Sequence, residues 1–184
     1  KDDAARFSRL GIPPSHLKIT GSVKFDINMN QEQIELGSSV KKGLAQRPIW
    51  IAASTHKGED EKVLSAHRKI LETHPTALLI LVPRHPERFD SVYKLCMQEK
   101  FIVSRRSTQS IPQPQDQIFL GDSMGEMAFY FQIADISFMG GSFVTVGGHN
   151  LLEPAALAKA TLIGPHYFNF TDITQQLVTR HACL

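Results

Sequence analysis

Apolar and polar residues alternate along the chain in two rhythms. Mainly apolar runs at Ile49–Ala53, Ala77–Val82 and Ile133–Met139 predict strands covered on both faces, where no polar alternation is needed. Shorter runs at Leu17–Ser22, Phe101–Val103, Gln117–Leu120 and Thr161–Gly164 predict further strands. Between them the period becomes helical. Val63, Ala66 and Ile70, with Leu64 and Leu71 beside them and acidic residues in the first turn, predict a helix over Glu59–Thr73. A short helix is expected before Gly11, with Pro13-Pro14 forbidding its continuation. Others are expected up to Ala45 with a cap near Gly37-Ser38-Ser39, up to Lys100, up to about Gln132, over Leu151–Ala158 and from Thr171-Asp172 onward. Ser104–Asp116 is rich in Ser, Gln and Pro and reads as a loop. This alternation predicts one α/β domain over 1–184, a parallel sheet with helices on both faces.

Ligands of such sheets sit beyond the carboxyl ends of the strands. Each unusual polar cluster falls at such an end: after Ala53, Val82, Leu120, Met139 and Ile163. Around Phe138-Met139-Gly140-Gly141-Ser142 and Gly147-Gly148-His149-Asn150, missing side chains would let a ligand approach backbone N–H groups. Asn150 and Glu153 stand three apart at a predicted helix start. They suit either recognition of hydroxyls and a phosphate or base edge, or a capping box. Arg84, stiffened by Pro83 and Pro86, has the shape to bind a phosphate or carboxylate, or to pair with Glu87. Ser54 and Thr55 could bond an anion, although Ser/Thr before an acidic first turn reads first as an N-cap.

Gly121-Asp122-Ser123-Met124-Gly125 matches G-x-S-x-G between a predicted strand and helix. It raises an alternative, a serine hydrolase with Ser123 as nucleophile, Asp135 or Glu153 as acid and His166 or His181 as base. Against it, Asp135 would start a strand, away from the catalytic edge, and no HGGG-like oxyanion loop lies upstream.

Composition narrows the field further. A hydrophobic content of 42% supports an ordinary core, and a formal charge of +2 with interspersed signs gives no reason to expect nucleic acid. Cys96 and Cys183 make neither a disulfide scaffold nor a metal motif, which suits a reducing compartment. None of the eight histidines shows metal-ligand spacing; His85, His149 and His166 read either as lining the crevice or, in the first place, as making local hydrogen bonds, and no metal is expected. No apolar run is long enough to span a bilayer. No G-x-G-x-x-G fingerprint is present, and no cofactor is implied. The chain lacks a starting Met and stops without a helix stop signal, which reads as a piece of a longer protein.

The run Gly147–Ala155, with Gly164-Pro165-His166-Tyr167-Phe168-Asn169-Phe170 downstream, resembles the 3-deoxy-D-manno-octulosonic acid (Kdo) transferases of Gram-negative bacteria. Thr20–Asp26, Ala53–Glu59, Pro83–Phe89 and Asp122–Met127 agree with it, in the right order and over nearly the whole chain; Ser123 stands where Thr is expected. The resemblance implies the Rossmann-like C-terminal, donor-binding domain of a GT-B glycosyltransferase. That enzyme would move Kdo from CMP-Kdo to the lipid A precursor, with inversion and without metal, at the cytoplasmic face of the inner membrane. It implies CMP contacts at Pro83, Arg84, Met124, Gly125, Glu126, Asn150, Leu151, Leu152 and Glu153, the last taking ribose hydroxyls. Ser54, Thr55, Gly140, Gly141 and Ser142 are further candidate donor contacts. The general base would lie in an N-terminal domain, leaving this chain inactive alone. A different GT-B sugar-nucleotide enzyme or an epimerase is a further alternative.

Overall fold

The computed structural model describes residues 2–19, 27–44, 47–108 and 111–184. The stretch Thr20–Asp26 of the resemblance, and half of the strand expected at Leu17–Ser22, lie outside them; the described half, residues 17–19, forms no strand. Helix α1 (Asp2–Arg9) and a 3-10 turn (Pro14–His16) lead to α2 (Gln31–Gly43). Then β1 (Ile49–Thr55), α3 (Asp60–Thr73), β2 (Leu78–Pro83), α4 (Phe89–Gln98), β3 (Val103–Arg105) and β4 (Ile118–Leu120) follow. The order closes with α5 (Met127–Ile133), β5 (Ile136–Met139), α6 (Leu152–Ala156), β6 (Ala160–Ile163) and α7 (Thr171–Thr179).

The six described strands form one parallel sheet in the order β3-β4-β2-β1-β5-β6. Successive side chains of a strand point to opposite faces, and here both faces are apolar. Ile49, Ile51, Ala53, Leu78, Ile80 and Val82 join a core with Val40, Phe129, Tyr130, Phe131 and Ile173, under α2, α5 and α7. Ala52, Leu79 and Leu81 face the other way, against Val63, Leu64, Val92 and Cys96 of α3 and α4. Each large side chain so buried contributes on the order of 1.5–3 kcal/mol.

Three further sequence expectations are corrected. Gly37-Ser38-Ser39 is no cap but the middle of α2; the cap is Asn30, whose side chain accepts from Gln33 N–H at 3.1 Å. Gly37 is glycine because α5 crosses there: a Cβ would lie 2.8 Å from Gln132 Cβ and 2.9 Å from the Phe129 carbonyl oxygen. The strand expected at Phe101–Val103 is displaced to Val103–Arg105. Phe101 is buried where the chain leaves α4 through Lys100 at φ 63°, and Ser104, read as loop, is buried with its hydroxyl on Asp116.

From β1 the chain passes to β2, crosses to β3 at the edge, inserts β4 between β3 and β2, and then returns to place β5 on the other side of β1. This reversal makes β1 and β5 the switch point of the sheet, where loops leaving the carboxyl ends diverge and open a crevice.

Candidate functional site

The loops leaving β1 and β5 are tied together by a residue the sequence reading passed over. Glu59, just before α3, is fully buried. Its carboxylate accepts from the backbone N–H of His56 (2.9 Å), Gly141 (2.7 Å), Ser142 (3.1 Å) and Phe143 (2.9 Å). The N–H groups expected to greet a ligand anion at Gly141 and Ser142 are therefore engaged by the protein's own anion. Gly140 is equally structural: its N–H donates to Ala53 at 2.8 Å, and a Cβ there would stand 2.5 Å from the Ser54 carbonyl oxygen. The Ser142 hydroxyl donates to Met139 O at 2.5 Å and accepts from Gly164 N–H at 2.8 Å.

Ser54 and Thr55 are not caps either. Ser54 has φ 56° at a register shift in β1, and the α3 N-cap position is Glu59, without a side-chain cap bond. The Thr55 hydroxyl donates to Asp60 at 2.7 Å, and Arg88 binds both the Asp60 carboxylate and, at 2.6 Å, the Thr55 carbonyl. Sequence gives little access to this knot, because Glu59 meets partners 82 to 84 residues away.

Over this framework stand groups with fewer commitments. Arg84 follows β2 with its backbone N–H on the Thr55 carbonyl at 3.0 Å; its side chain is exposed and forms no ion pair among the described residues, with Glu87 or any other. His56 and His149 place their Nε2 atoms 2.8 Å apart, and His85 meets His56 edge-on at 5.3 Å between centroids. Burial lowers the basicity of His56, and that of His149 to about 4, with the positive charge of Arg84 acting in the same direction.

Asn150 and Glu153 do not form a capping box. Asn150 Oδ1 accepts from Leu152 N–H at 3.1 Å, while the half-buried Glu153 carboxylate has no hydrogen bond among the described residues. Burial raises the Glu153 carboxyl above the usual range, with Arg84 opposing. Leu151 is fully buried in the core and Leu152 packs partly against it, so both anchor the segment. Glu153 lines a cavity of about 270 Å³ with Asn28, Gln33, Gly125, Met127 and Ala128.

The third wall is the loop after β4. Gly125, at φ 76°, offers its carbonyl to Gln33 Nε2 at 2.7 Å, and Met124 is exposed. Arg106 grips Glu126 with two nitrogens, at 3.0 and 2.5 Å. Burial disfavours the Glu126 carboxylate, yet the bonds from Arg106 and Ser123 outweigh it and hold the carboxyl below its usual range. The Ser123 hydroxyl lies between Glu126 and Tyr130 OH, the latter at 2.5 Å, with no histidine among its partners. Ser123 is also absent from the positive-φ residues, so the strained turn of a nucleophile elbow is missing. Asp135 sits at the opposite end of the sheet, accepting from Ile49 N–H at 2.9 Å and pairing with Lys41 at 2.5 Å. The hydrolase alternative therefore has no triad.

A larger cavity, about 670 Å³, lies at that opposite end between Ser38, Lys41, Arg47, Gln132 and Asp135. Lys41 and Arg47 are committed there to Asp135 and to backbone carbonyls, which leaves the exposed Lys42 as the one lining cation without a partner among the described residues, and no open carboxylate faces it as Glu153 faces Arg84 at the carboxyl edge. No group of three or more His, Cys, Asp or Glu among the described residues is arranged to hold a metal ion, and no helix among them is long and apolar enough to cross a membrane.

Comparison with known proteins bears on this geometry. No protein-family model matches the chain. It is 50% identical over 174 residues to the 3-deoxy-D-manno-octulosonic acid transferase of Haemophilus influenzae, covering 94% of this chain and 41% of the relative. It is 37% identical over 190 residues to the enzyme of the same name from Bordetella pertussis, covering all of this chain and 43% of the relative. The chain thus spans about two fifths of the length of these curated relatives. Among solved structures, the C-terminal CMP-Kdo binding domain of WaaA from Acinetobacter baumannii superposes with a TM-score of 0.80 at 35% identity, covering 84% of this chain and 82% of that one. With the α/β fold and sequence agreement extending along the whole domain, this chain belongs to the 3-deoxy-D-manno-octulosonic acid transferase family.

Proposed function

We propose that residues 1–184 form the C-terminal donor-binding domain of a two-domain GT-B Kdo transferase. The observation that carries the reading is the pair of uncommitted, oppositely charged side chains, Arg84 and Glu153, at the switch point of a sheet that matches a CMP-Kdo binding domain. A CMP leaving group bears one phosphate. As the sugar departs through an oxocarbenium-like state, negative charge develops on that phosphate, and a guanidinium held on a rigid strand end stabilises it without reorganising. Pro83, buried as the last residue of β2, fixes where Arg84 starts. Glu153 has acceptors for the ribose hydroxyls, Gly125 and Met124 supply the wall beside the cavity, and Glu126, locked by Arg106, acts by holding that wall in shape. Asn150 sets the start of the segment that carries Glu153, anchored by Leu151 and Leu152.

The full enzyme would transfer Kdo to the lipid A precursor with inversion, at the cytoplasmic face of the inner membrane. Acceptor site and general base would come from residues outside this chain, so the described domain binds and positions the donor. Ser54, Thr55, Gly140, Gly141 and Ser142 serve this function as the floor of the site rather than through free N–H donors. Calorimetric titration with CMP, using UMP as control, tests the reading. Selective CMP binding, weakened at least about tenfold in both Arg84→Ala and Glu153→Ala, is the expected result. Equal binding of UMP, or CMP affinity indifferent to both changes, would contradict it.

A further inference from the structure

The contact between His56 and His149 has a geometry that restricts its protons. The rings are nearly coplanar, at 8°, with centroids 5.0 Å apart and Nε2 atoms 2.8 Å apart. The centroid separation is what an end-on contact of two imidazoles gives, so the rings meet nitrogen to nitrogen in one plane. At that distance one Nε2 must donate and the other accept, since two lone pairs or two N–H bonds pointed at each other would repel. In the neutral pair the donor ring therefore carries a bare Nδ1 and the acceptor ring an Nδ1–H. Neither Nδ1 has a hydrogen-bond partner among the described residues.

The pair rests on the glycine loop: a Cβ on Gly141 would lie 3.1 Å from His149 Nε2 and 3.4 Å from His56 Cδ2. The charged and titratable groups that face it are Arg84, Arg88, His85 and Glu59. Arg84, Arg88 and His85 oppose a positive charge on the pair, whereas Glu59 favours one but is already bonded to four backbone N–H groups. Arg84 is the fixed opposing charge without an ion-pair partner among the described residues, and an anion beside it would cancel that opposition.

We propose that the His56–His149 pair is a proton-uptake element of the nucleotide site: an anionic ligand held beside Arg84 draws one proton from solvent onto the bare Nδ1, and the resulting imidazolium binds the anion. Proton balance is simple. One proton leaves water, the Nε2–H···Nε2 bond is kept, and the pair gains a second outward N–H donor together with a unit of positive charge. The inference rests on the donor-site reading, and it adds a group that strengthens with the charge of the departing phosphate.

The test uses the wild-type chain and cytidine 5′-methyl phosphate, a phosphodiester whose phosphate does not titrate in the range of interest. Ring Cε1–H signals of His56 and His149 are followed by NMR against pH, with and without ligand. The free His149 midpoint is about 4. With ligand the pair is expected to titrate at least about one pH unit higher, so that affinity rises about tenfold as pH falls through that window. In His149→Gln this rise should vanish. Glu153 protonates over the same range and works in the opposite sense, so the slope of affinity against pH is read in the Glu153→Gln background, where the rise should remain and only the opposing loss is removed. Ligand binding with unshifted histidine midpoints, or a rise that survives in His149→Gln, would overturn the inference while leaving the donor site standing. No perturbation of any resonance up to about 10 mM ligand would overturn both.

Discussion

The two ends of the sheet use charge in opposite ways. At the amino edge the half-buried strong donors Arg47, Lys41 and Lys159 are absorbed by the fold, and only the exposed Lys42 among the described cavity-lining cations is left without a partner. Arg47 donates to the carbonyls of Thr76 (2.6 Å), Ala77 (3.3 Å), Gln113 (3.3 Å), Pro114 (3.1 Å) and Asp116 (2.5 Å). Lys41 and Lys159 both reach the Ala134 carbonyl, at 3.3 and 2.8 Å. At the carboxyl edge there are two layers: Glu59 and the Asp60–Arg88 pair are saturated, while Arg84 and Glu153 stand over them without ion pairs. A charged residue thus reveals its role by what remains unsatisfied. Saturated groups hold the backbone, and groups left open are available to a ligand.

The comparison can be broken most directly at its saturated members. Glu59→Ala should cost at least about 3 kcal/mol of stability, because it strands the N–H groups of four loop residues, two of them buried, and urea unfolding measures it. Arg47→Met should cost roughly 2 kcal/mol in the same assay, through five carbonyls left without their donor, while CMP affinity of the folded fraction stays as in the wild type.

The open groups should behave differently. Glu153→Gln is expected to raise Tm at pH 7 by roughly 2 °C, since the folded-state pKa of Glu153 is raised. A group raised in this way favours the protonated form, so its contribution to stability is present at low pH and is lost as pH rises through the folded value. The gain in the variant should shrink as pH is lowered, and CMP affinity should fall. Arg84→Ala should leave stability within about 0.5 kcal/mol, the ordinary range for an exposed side chain.

Legibility in the sequence follows the same division. Strands β1, β2 and β5 were readable because burial on both faces leaves continuous apolar runs, and α3 because its apolar stripe has helical period. The expectation of a site at the carboxyl edge followed from that alternation alone. Gly37 was misread because a glycine inside a helix announces either a cap or a close crossing, and only α5 decides between them. Strand β3 was displaced because its short edge is held by Ser104 on Asp116 and Arg105 on Asp122, contacts with no local pattern. Glu59, the His56–His149 contact and the Arg106 grip on Glu126 join residues 82 to 84, 93 and 20 positions apart, so neither spacing nor propensity marks them.

Amide chemical-shift mapping of the chain with CMP tests the central claim most directly, because it reports both edges in one experiment. The account predicts that the largest shifts cluster at Arg84, Gly125 and His149–Glu153, with Lys41, Arg47 and Gln132 unmoved. Shifts concentrated in the amino-edge cavity instead would contradict it.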